Sequence, residues 1–103
     1  MSNGAPPPPG QQLTIELDEK VGEGVYANLV LITHSNAEFV FDFTRVLPGM
    51  PKAKVQTRVI LAPPHAKALL KALEENVAKY EEQFGEIQMF VQPEGNRQFG
   101  FKP

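Results

Sequence analysis

The sequence predicts an α+β fold: a four-stranded antiparallel β-meander with one long C-terminal helix packed on one face, and a flexible proline-rich N-terminal arm. Apolar and polar residues alternate in short segments between residues 13 and 62, which is the pattern of half-buried strands. After residue 62 the apolar spacing changes to three and four residues, which is typical of an amphipathic helix. The connections between the strand-like segments are short and rich in turn residues, so hairpins are favoured over crossovers.

The chain of 103 residues is long enough for one domain. Residues 1–12 read "MSNGAPPPPGQQ"; they offer no apolar face to bury and are predicted to be a disordered arm, either a ligand for a proline-binding module or only a tether. The domain is predicted to span residues 13–87. Residues 88–103 then form a tail that adds an edge strand or stays loose.

The composition argues against several kinds of site. The absence of cysteine removes disulfides, thiolate metal sites and cysteine nucleophiles, and it fits a reducing compartment. No apolar run approaches the roughly 18 residues of a membrane helix, so a cytoplasmic protein without membrane contact is expected. A net charge of −2 leaves no excess of cations for phosphate contacts, which makes nucleic-acid binding unlikely as a first hypothesis. The nearest basic run is Lys52, Lys54 and Arg58.

Four strands are predicted, each bounded by turn signals. The third, inside "EFVFDFTRVLPG", places Phe39, Phe41 and Phe43 on one side of an extended chain. The strands occupy residues 13–17, 25–34, part of 38–49, and 54–62. The connections are 18–24, with two glycines, 35–37, and 47–53, with two prolines and a glycine.

The helix is predicted to run for about 20 residues from the two prolines at 63 and 64, which suit a first helical turn, to Gly85, a typical stop. One side of it is apolar. That stripe consists of Ala66, Leu69, Leu70, Leu73, Val77, Tyr80 and Phe84.

The hairpin registers decide which side chains share a face, because a slip of one residue sends a whole strand to the other side. The third and fourth strands are predicted to pair with residue numbers summing to 100, which sets Phe41 against Val59 and Asp42 against Arg58. A three-residue turn at 35–37 gives a sum of 72 and sets Leu31 against Phe41. A sum near 42 pairs the first strand with the second. The apolar face under the helix then comprises Leu13, Ile15, Leu17, Val25, Leu29, Leu31, Phe39, Phe41, Phe43, Val59 and Leu61.

The second sheet face is predicted to be polar with an apolar patch at its centre. In these registers Val30, Ile32, Val40 and Ile60 are neighbours, and one helix covers only one face of a sheet. Such a patch marks an interface, so these four residues are the candidate surface of a homo-oligomer, preferably a dimer. The alternative is that the C-terminal tail covers the patch. Asp42 and Arg58 form a candidate cross-strand ion pair beside it.

Catalytic, cofactor-binding and metal-ligating residues are not predicted. His34 and His65 are too few for a zinc site without further ligands. The glutamates of the helix are expected to solvate its polar side, and the strand-to-helix junction "APPH" is not a phosphate-binding loop.

Three segments in series resemble a family of short prokaryotic proteins catalogued as domain of unknown function 3467. The likeness runs from Gln12 to Ile87 and is carried by "YANLVLITHSNAEFVFDFTRVLPG", "AKVQTRVILAPPHAKALLKAL" and "KYEEQFGEI". In the family a threonine stands where this chain has Ala62, so the helix is expected to lack a side-chain cap. The resemblance implies no activity, cofactor or catalytic residue.

The expected function is therefore that of a small, non-enzymatic protein-interaction module that works as a homo-oligomer through its second sheet face. Three alternatives remain open at this point. They are a substrate-binding module similar in topology to the export chaperone SecB, a nucleic-acid-binding accessory protein, and a small enzyme with a site at the dimer interface.

Overall fold

The structure, a computed structural model, describes residues 12–89 and confirms an α+β fold with an antiparallel sheet and a C-terminal helix. The proline arm and the end of the tail lie outside the described residues. The three strands are ordered β1-β2-β3 in the sheet. In chain order the elements are α1 (Glu19–Gly22), β1 (Leu29–His34), β2 (Phe39–Arg45), β3 (Lys54–Leu61) and α2 (Pro63–Phe84).

The prediction of a fourth strand at residues 13–17 is wrong. This segment pairs with no described strand, and its apolar side chains are open to solvent: Ile15 and Leu17 are 73% and 72% exposed. The expected hairpin turn is instead a single helical turn, α1, in which the N–H of Gly22 donates to the carbonyl of Asp18 at 2.8 Å. Hydrogen bonds within this turn use the backbone groups that a tight hairpin would need, so the segment does not fold back onto β1.

The predicted register between β2 and β3 is confirmed. Phe39 lies opposite Leu61, Phe41 opposite Val59, and Asp42 opposite Arg58. Beyond Phe43 the pairing shifts by one, because Gln56 is an extra residue in β3. Such a bulge bends and twists the strand next to the loop that joins it to β2.

The predicted register between β1 and β2 is wrong by one residue. Ile32, not Leu31, lies opposite Phe41. The connection is one residue longer than expected: the N–H of Ser35 donates to the carbonyl of Glu38 at 2.9 Å, so residues 35–38 form the turn. All β1 side chains therefore change face. Val30 and Ile32 join the face of the phenylalanines, and Leu29 and Leu31 lie on the other face.

The predicted helix is confirmed, with 22 residues in α2. It begins one residue after β3. Ala62 is extended and makes no side-chain capping bond, but its carbonyl accepts the N–H groups of His65 and Ala66 at 3.0 Å each. At the other end Gly85 has φ of 98°, a conformation that glycine adopts freely, and its N–H donates to the carbonyl of Glu81 at 2.9 Å.

The described chain has very little core. Phe41 (8% exposed) and Thr44 (2% exposed) are its two buried residues, and both lie in the central strand. The hydroxyl of Thr44 donates to the carbonyl of Asp42 at 3.1 Å, so its burial leaves no polar atom without a partner. No residue of α2 is buried. Among the described residues, no helix is both long and apolar enough to cross a membrane.

Candidate functional site

An open apolar groove lies between the phenylalanine face of the sheet and the first half of α2. Its volume is about 630 Å³. The sheet contributes Ile32, Phe39 and Phe41, and Lys67 is the single charged residue in the lining. A gap of this size means that the helix does not close onto the sheet. The remaining lining residues, all from the helix, are Pro63, Ala66, Leu69, Leu70 and Leu73.

Most of the apolar stripe of α2 is exposed, and only Ala66 and Val77 within it are half-buried. Leu70 and Leu73, which line the groove, are 55% and 56% exposed, and Phe84 at the end of the helix is 66% exposed. The rings of Tyr80 and Phe84 contact each other, with centroids 4.9 Å apart. A helix that presents such a stripe without a covering layer lacks the tertiary contacts from which helices in proteins take most of their stability.

The second sheet face carries the predicted ion pair. The Nε of Arg58 lies 2.6 Å from Oδ1 of Asp42, and Nη2 lies 2.9 Å from Oδ2, so the contact is bidentate. These hydrogen bonds hold the pKa of Asp42 below its ordinary value and raise the pKa of Arg58. The side chain of Asp42 is 14% exposed and that of Arg58 is 62% exposed. Solvent screening at the arginine keeps the pair a weak source of stability, and its main effect is to fix side-chain positions.

The four residues of the predicted apolar patch do not form one surface. Val40 and Ile60 are paired on the second face, beside the ion pair, and Ile60 is 53% exposed. Val30 and Ile32 lie on the phenylalanine face because of the register of β1. The patch is therefore divided between the two faces. An interface role for any of these residues stays a prediction.

The two histidines lie on different elements, β1 and α2. His34 lies opposite Phe39, and their rings stack with centroids 5.2 Å apart. His65 lies in the first turn of α2. Within residues 12–89 no three histidine, aspartate or glutamate side chains come together as a metal site would require.

The basic run occupies a different part of the molecule from the groove. Arg45, Lys52 and Lys54 line a hollow of about 400 Å³ beside the loop between β2 and β3. Arg58, the third member of the predicted run, forms an ion pair with Asp42. The hollow thus gathers two lysines and one arginine, with Arg45 in the place that the sequence pattern gave to Arg58, and phosphate binding there stays a prediction.

One polar residue with a structural role escaped the sequence analysis. Asn28 comes immediately before β1, and its side-chain amide makes two hydrogen bonds to Val46: Oδ1 accepts the N–H at 2.9 Å and Nδ2 donates to the carbonyl at 3.0 Å. The asparagine thus replaces a ladder residue and extends the pairing of β1 with β2 by one step. An asparagine just outside a strand is too common in turns for the sequence alone to reveal this role.

Comparison with known proteins places the chain in a family. Searches of curated proteins and of solved structures gave no significant match. A family described as "Protein of unknown function (DUF3467)" matches residues 1–89. The match includes the proline-rich arm, which was expected to lie outside the resemblance. It ends near the predicted end of the domain, and it covers most of the sequence: the chain belongs to the DUF3467 family.

Proposed function

We propose that this protein is a small, non-enzymatic interaction module that acts as a homodimer, with the groove of each chain covered by the second copy. The observation that carries the proposal is the near absence of a core: Phe41 is the one buried hydrophobic residue among residues 12–89. A domain of this length folds because it buries apolar surface, and a second copy can cover the surface that residues 12–89 leave open.

The exposed area of the stripe fits a dimer. Taking roughly 150–250 Å² for each large side chain, five residues of α2 expose roughly 500 Å² per chain. Two copies then remove roughly 1,000 Å² from water before the smaller lining residues are counted. Stable interfaces bury about 1,200–2,000 Å² in total, so the groove and stripe together reach this range. The five residues are Leu69, Leu70, Leu73, Tyr80 and Phe84.

The second sheet face is the proposed site for a different protein partner. Val40 and Ile60 give it a small apolar centre, and the Asp42–Arg58 pair beside them has fixed geometry. A small apolar patch next to charged groups is typical of a weaker, reversible contact, whereas the larger groove suits a permanent one.

A second candidate function rests on the same open groove. An apolar groove of about 630 Å³ is also what a chaperone-like module offers to unfolded chains. In that case the groove is free, either in a monomer or in a dimer that uses the second sheet face. The oligomeric state and the position of the interface together separate the two functions.

The first test is the native molar mass, measured by light scattering coupled to size exclusion at a low and a high protein concentration. A homodimer gives about twice 11.4 kDa. A monomer at both concentrations contradicts the proposed dimer, and suppression of the aggregation of an unfolded client protein then supports the chaperone-like function.

A matched pair of variants locates the interface. The variants are Leu73→Glu and Ile60→Glu. Leu73 lies in the groove and Ile60 on the second sheet face, and the two residues are similarly exposed in one chain, 56% and 53%. A charge buried in an apolar interface costs about 3–5 kcal/mol, so Leu73→Glu should weaken the dimer at least about a hundredfold.

Ile60→Glu should leave the mass unchanged. The reverse result, in which Ile60→Glu splits the dimer and Leu73→Glu does not, assigns the homodimer interface to the second sheet face. If both substitutions weaken the dimer only slightly and to the same extent, neither the groove nor the second sheet face is the homodimer interface.

A further inference from the structure

We infer that residues 12–17 of each chain add as a strand to the open edge of β1 in the second copy, so that the two copies exchange these segments across the dimer. The inference rests on the proposed homodimer and names the contact that holds it together. Three features of the described chain carry it: the unpaired segment itself, the character of the edge of β1, and the position of the groove.

The segment has the pattern of a strand but no strand partner among residues 12–89 of its own chain. Leu13, Ile15 and Leu17 alternate with polar residues, and all three are more than half exposed. Three large aliphatic side chains exposed on one side of an unpaired segment are an unfavourable arrangement in water. Pairing with a sheet edge would cover them and would also satisfy the backbone groups of the segment.

The two edges of the sheet differ in their protection. The edge strand β3 begins with Lys54 and has a bulge at Gln56, and lysines and bulges are how natural sheets keep edges from pairing with other chains. The other edge strand, β1, reads "LVLITH" and has no lysine, arginine, glutamate, aspartate or proline. An apolar edge of six residues without such protection is a site for strand addition.

The groove lies against the same edge. Its lining includes Ile32 from β1 and includes no residue of β3. Side chains alternate between the faces of a strand, so a segment added beyond β1 can place Leu13, Ile15 and Leu17 together on the groove side. Thr14 and Glu16 then lie on the second face, toward water.

A second copy, and not the same chain, provides this partner. Within one chain the connection between the segment and β1 is the helical turn α1, with Gly24 at φ of 81° after it, and the hairpin that would pair the segment with its own β1 is not formed. In a two-fold dimer each copy gives one segment and accepts one, so the exchange closes and leaves no free end for further growth.

The test uses engineered cysteines, because the chain has none of its own. One protein carries Glu16→Cys and another carries Thr33→Cys, both positions on the side of the sheet away from the groove. Each protein is first checked for the native mass of the unmodified dimer. The two are then mixed, allowed to exchange subunits and oxidised, and the products are analysed on a denaturing gel. Thr14→Cys replaces Glu16→Cys in a repeat to allow for a shift in register.

The expected result is a disulfide-linked species of about twice 11.4 kDa in the mixture and not in either protein alone. A linked species from Thr33→Cys alone overturns the inference, since it means that the two β1 edges pair with each other.

A double variant, Glu16→Cys with Thr33→Cys, distinguishes pairing within one chain. If it loses both thiols while its mass stays at 11.4 kDa on the gel, the segment pairs with its own β1 and the inference fails.

A second measurement does not depend on cysteine geometry. The variant with Leu13, Ile15 and Leu17 all changed to serine should weaken the dimer by at least about tenfold, and changing Val21, Val25 and Met50 to serine is a control of similar exposure. An unchanged dimer in the first variant overturns the inference while leaving the proposed dimer intact. A monomeric unmodified protein contradicts the proposed function itself.

Discussion

The sheet buries part of its apolar surface, whereas the helix α2 leaves most of its apolar stripe exposed. In the sheet, β2 lies between two neighbours that pair with it along its length, and Phe41 and Thr44 at its centre are buried. In α2 the stripe is just as regular, yet no residue is buried. Each strand of the sheet pairs with the next strand along the chain, through two hairpins. The helix has no covering layer among residues 12–89, so within them it lacks the packing contacts from which helices in proteins take most of their stability.

The largest expected effect is at the centre of the sheet. Phe41→Ala should destabilise the protein by about 3–5 kcal/mol, the cost of deleting a buried aromatic ring. Denaturant unfolding followed by circular dichroism measures the loss. Phe84→Ala, on the exposed end of the stripe, is the comparison: its effect should appear as weaker dimerisation at low protein concentration. If both substitutions lower the free energy of unfolding equally at every protein concentration, the sheet and the helix do not differ in how they are stabilised.

An intermediate effect is expected where the ladder is extended by a side chain. Asn28→Ala removes two hydrogen bonds to Val46 and should cost about 1–2 kcal/mol. The amide exchange rate of Val46, measured by NMR, should rise as its N–H loses the acceptor. Asn36→Ala, at the tip of the turn between β1 and β2, is the control. A similar loss in both variants would show that Asn28 adds nothing to the sheet.

A gain of stability is expected at the junction of sheet and helix. Ala62 has the extended conformation of a capping residue but no side chain to cap with, so Ala62→Thr should stabilise the protein by about 1 kcal/mol. The melting temperature by circular dichroism measures it, with Ala68→Thr inside the helix as a control that should be neutral or harmful. The gain acts on the helix alone. An unchanged melting temperature would therefore indicate that the stability of α2 does not limit the stability of the protein.

The smallest effect concerns acid. Because Arg58 holds the pKa of Asp42 below its ordinary value, the folded state favours the charged carboxylate. The resulting stability is fully present above the ordinary value of about 3.9 and is lost as the pH falls through the lower folded pKa.

Denaturation midpoints measured from pH 5 downward should therefore fall less steeply in Asp42→Asn than in the unmodified protein. Arg58→Gln should have the same effect, and the double variant should add nothing. Additive effects of the two substitutions would mean that the pair does not act as one unit.

The sequence predicted the parts of the fold that local rules determine. The helix from Pro63 to Gly85 carries its own start, spacing and stop, and the β2–β3 register follows from matching Phe39, Phe41 and Asp42 to their partners. The β1–β2 register failed because both sides of β1 are apolar in its middle, so the hydrophobic pattern favoured neither face. The length of the turn then set the register. The turn has four residues, 35–38, instead of the predicted three, and this shifts β1 by one residue against β2.

The candidate site was predicted less well than the fold. Ile32 was correctly identified as part of an apolar surface but was assigned to the wrong face. The alternation at Leu13, Ile15 and Leu17 predicts a strand, but periodicity shows only that a segment can pair and does not identify the strand that it pairs with. The groove depends on the angle between α2 and the sheet, a quantity that no residue pattern contains.

The junction at Ala62 also has a mechanical consequence. A helix of 22 residues is about 33 Å long, so it acts as a lever whose pivot is a single residue. A rotation of about 10° at that pivot would move the far end of α2 by about 6 Å, enough to open or shut the space beneath it. The prolines at 63 and 64 restrict such rotation, since the residue before a proline is confined to extended conformations. The sheet therefore sets the direction of the helix, and the backbone of one junction fixes the shape of the groove.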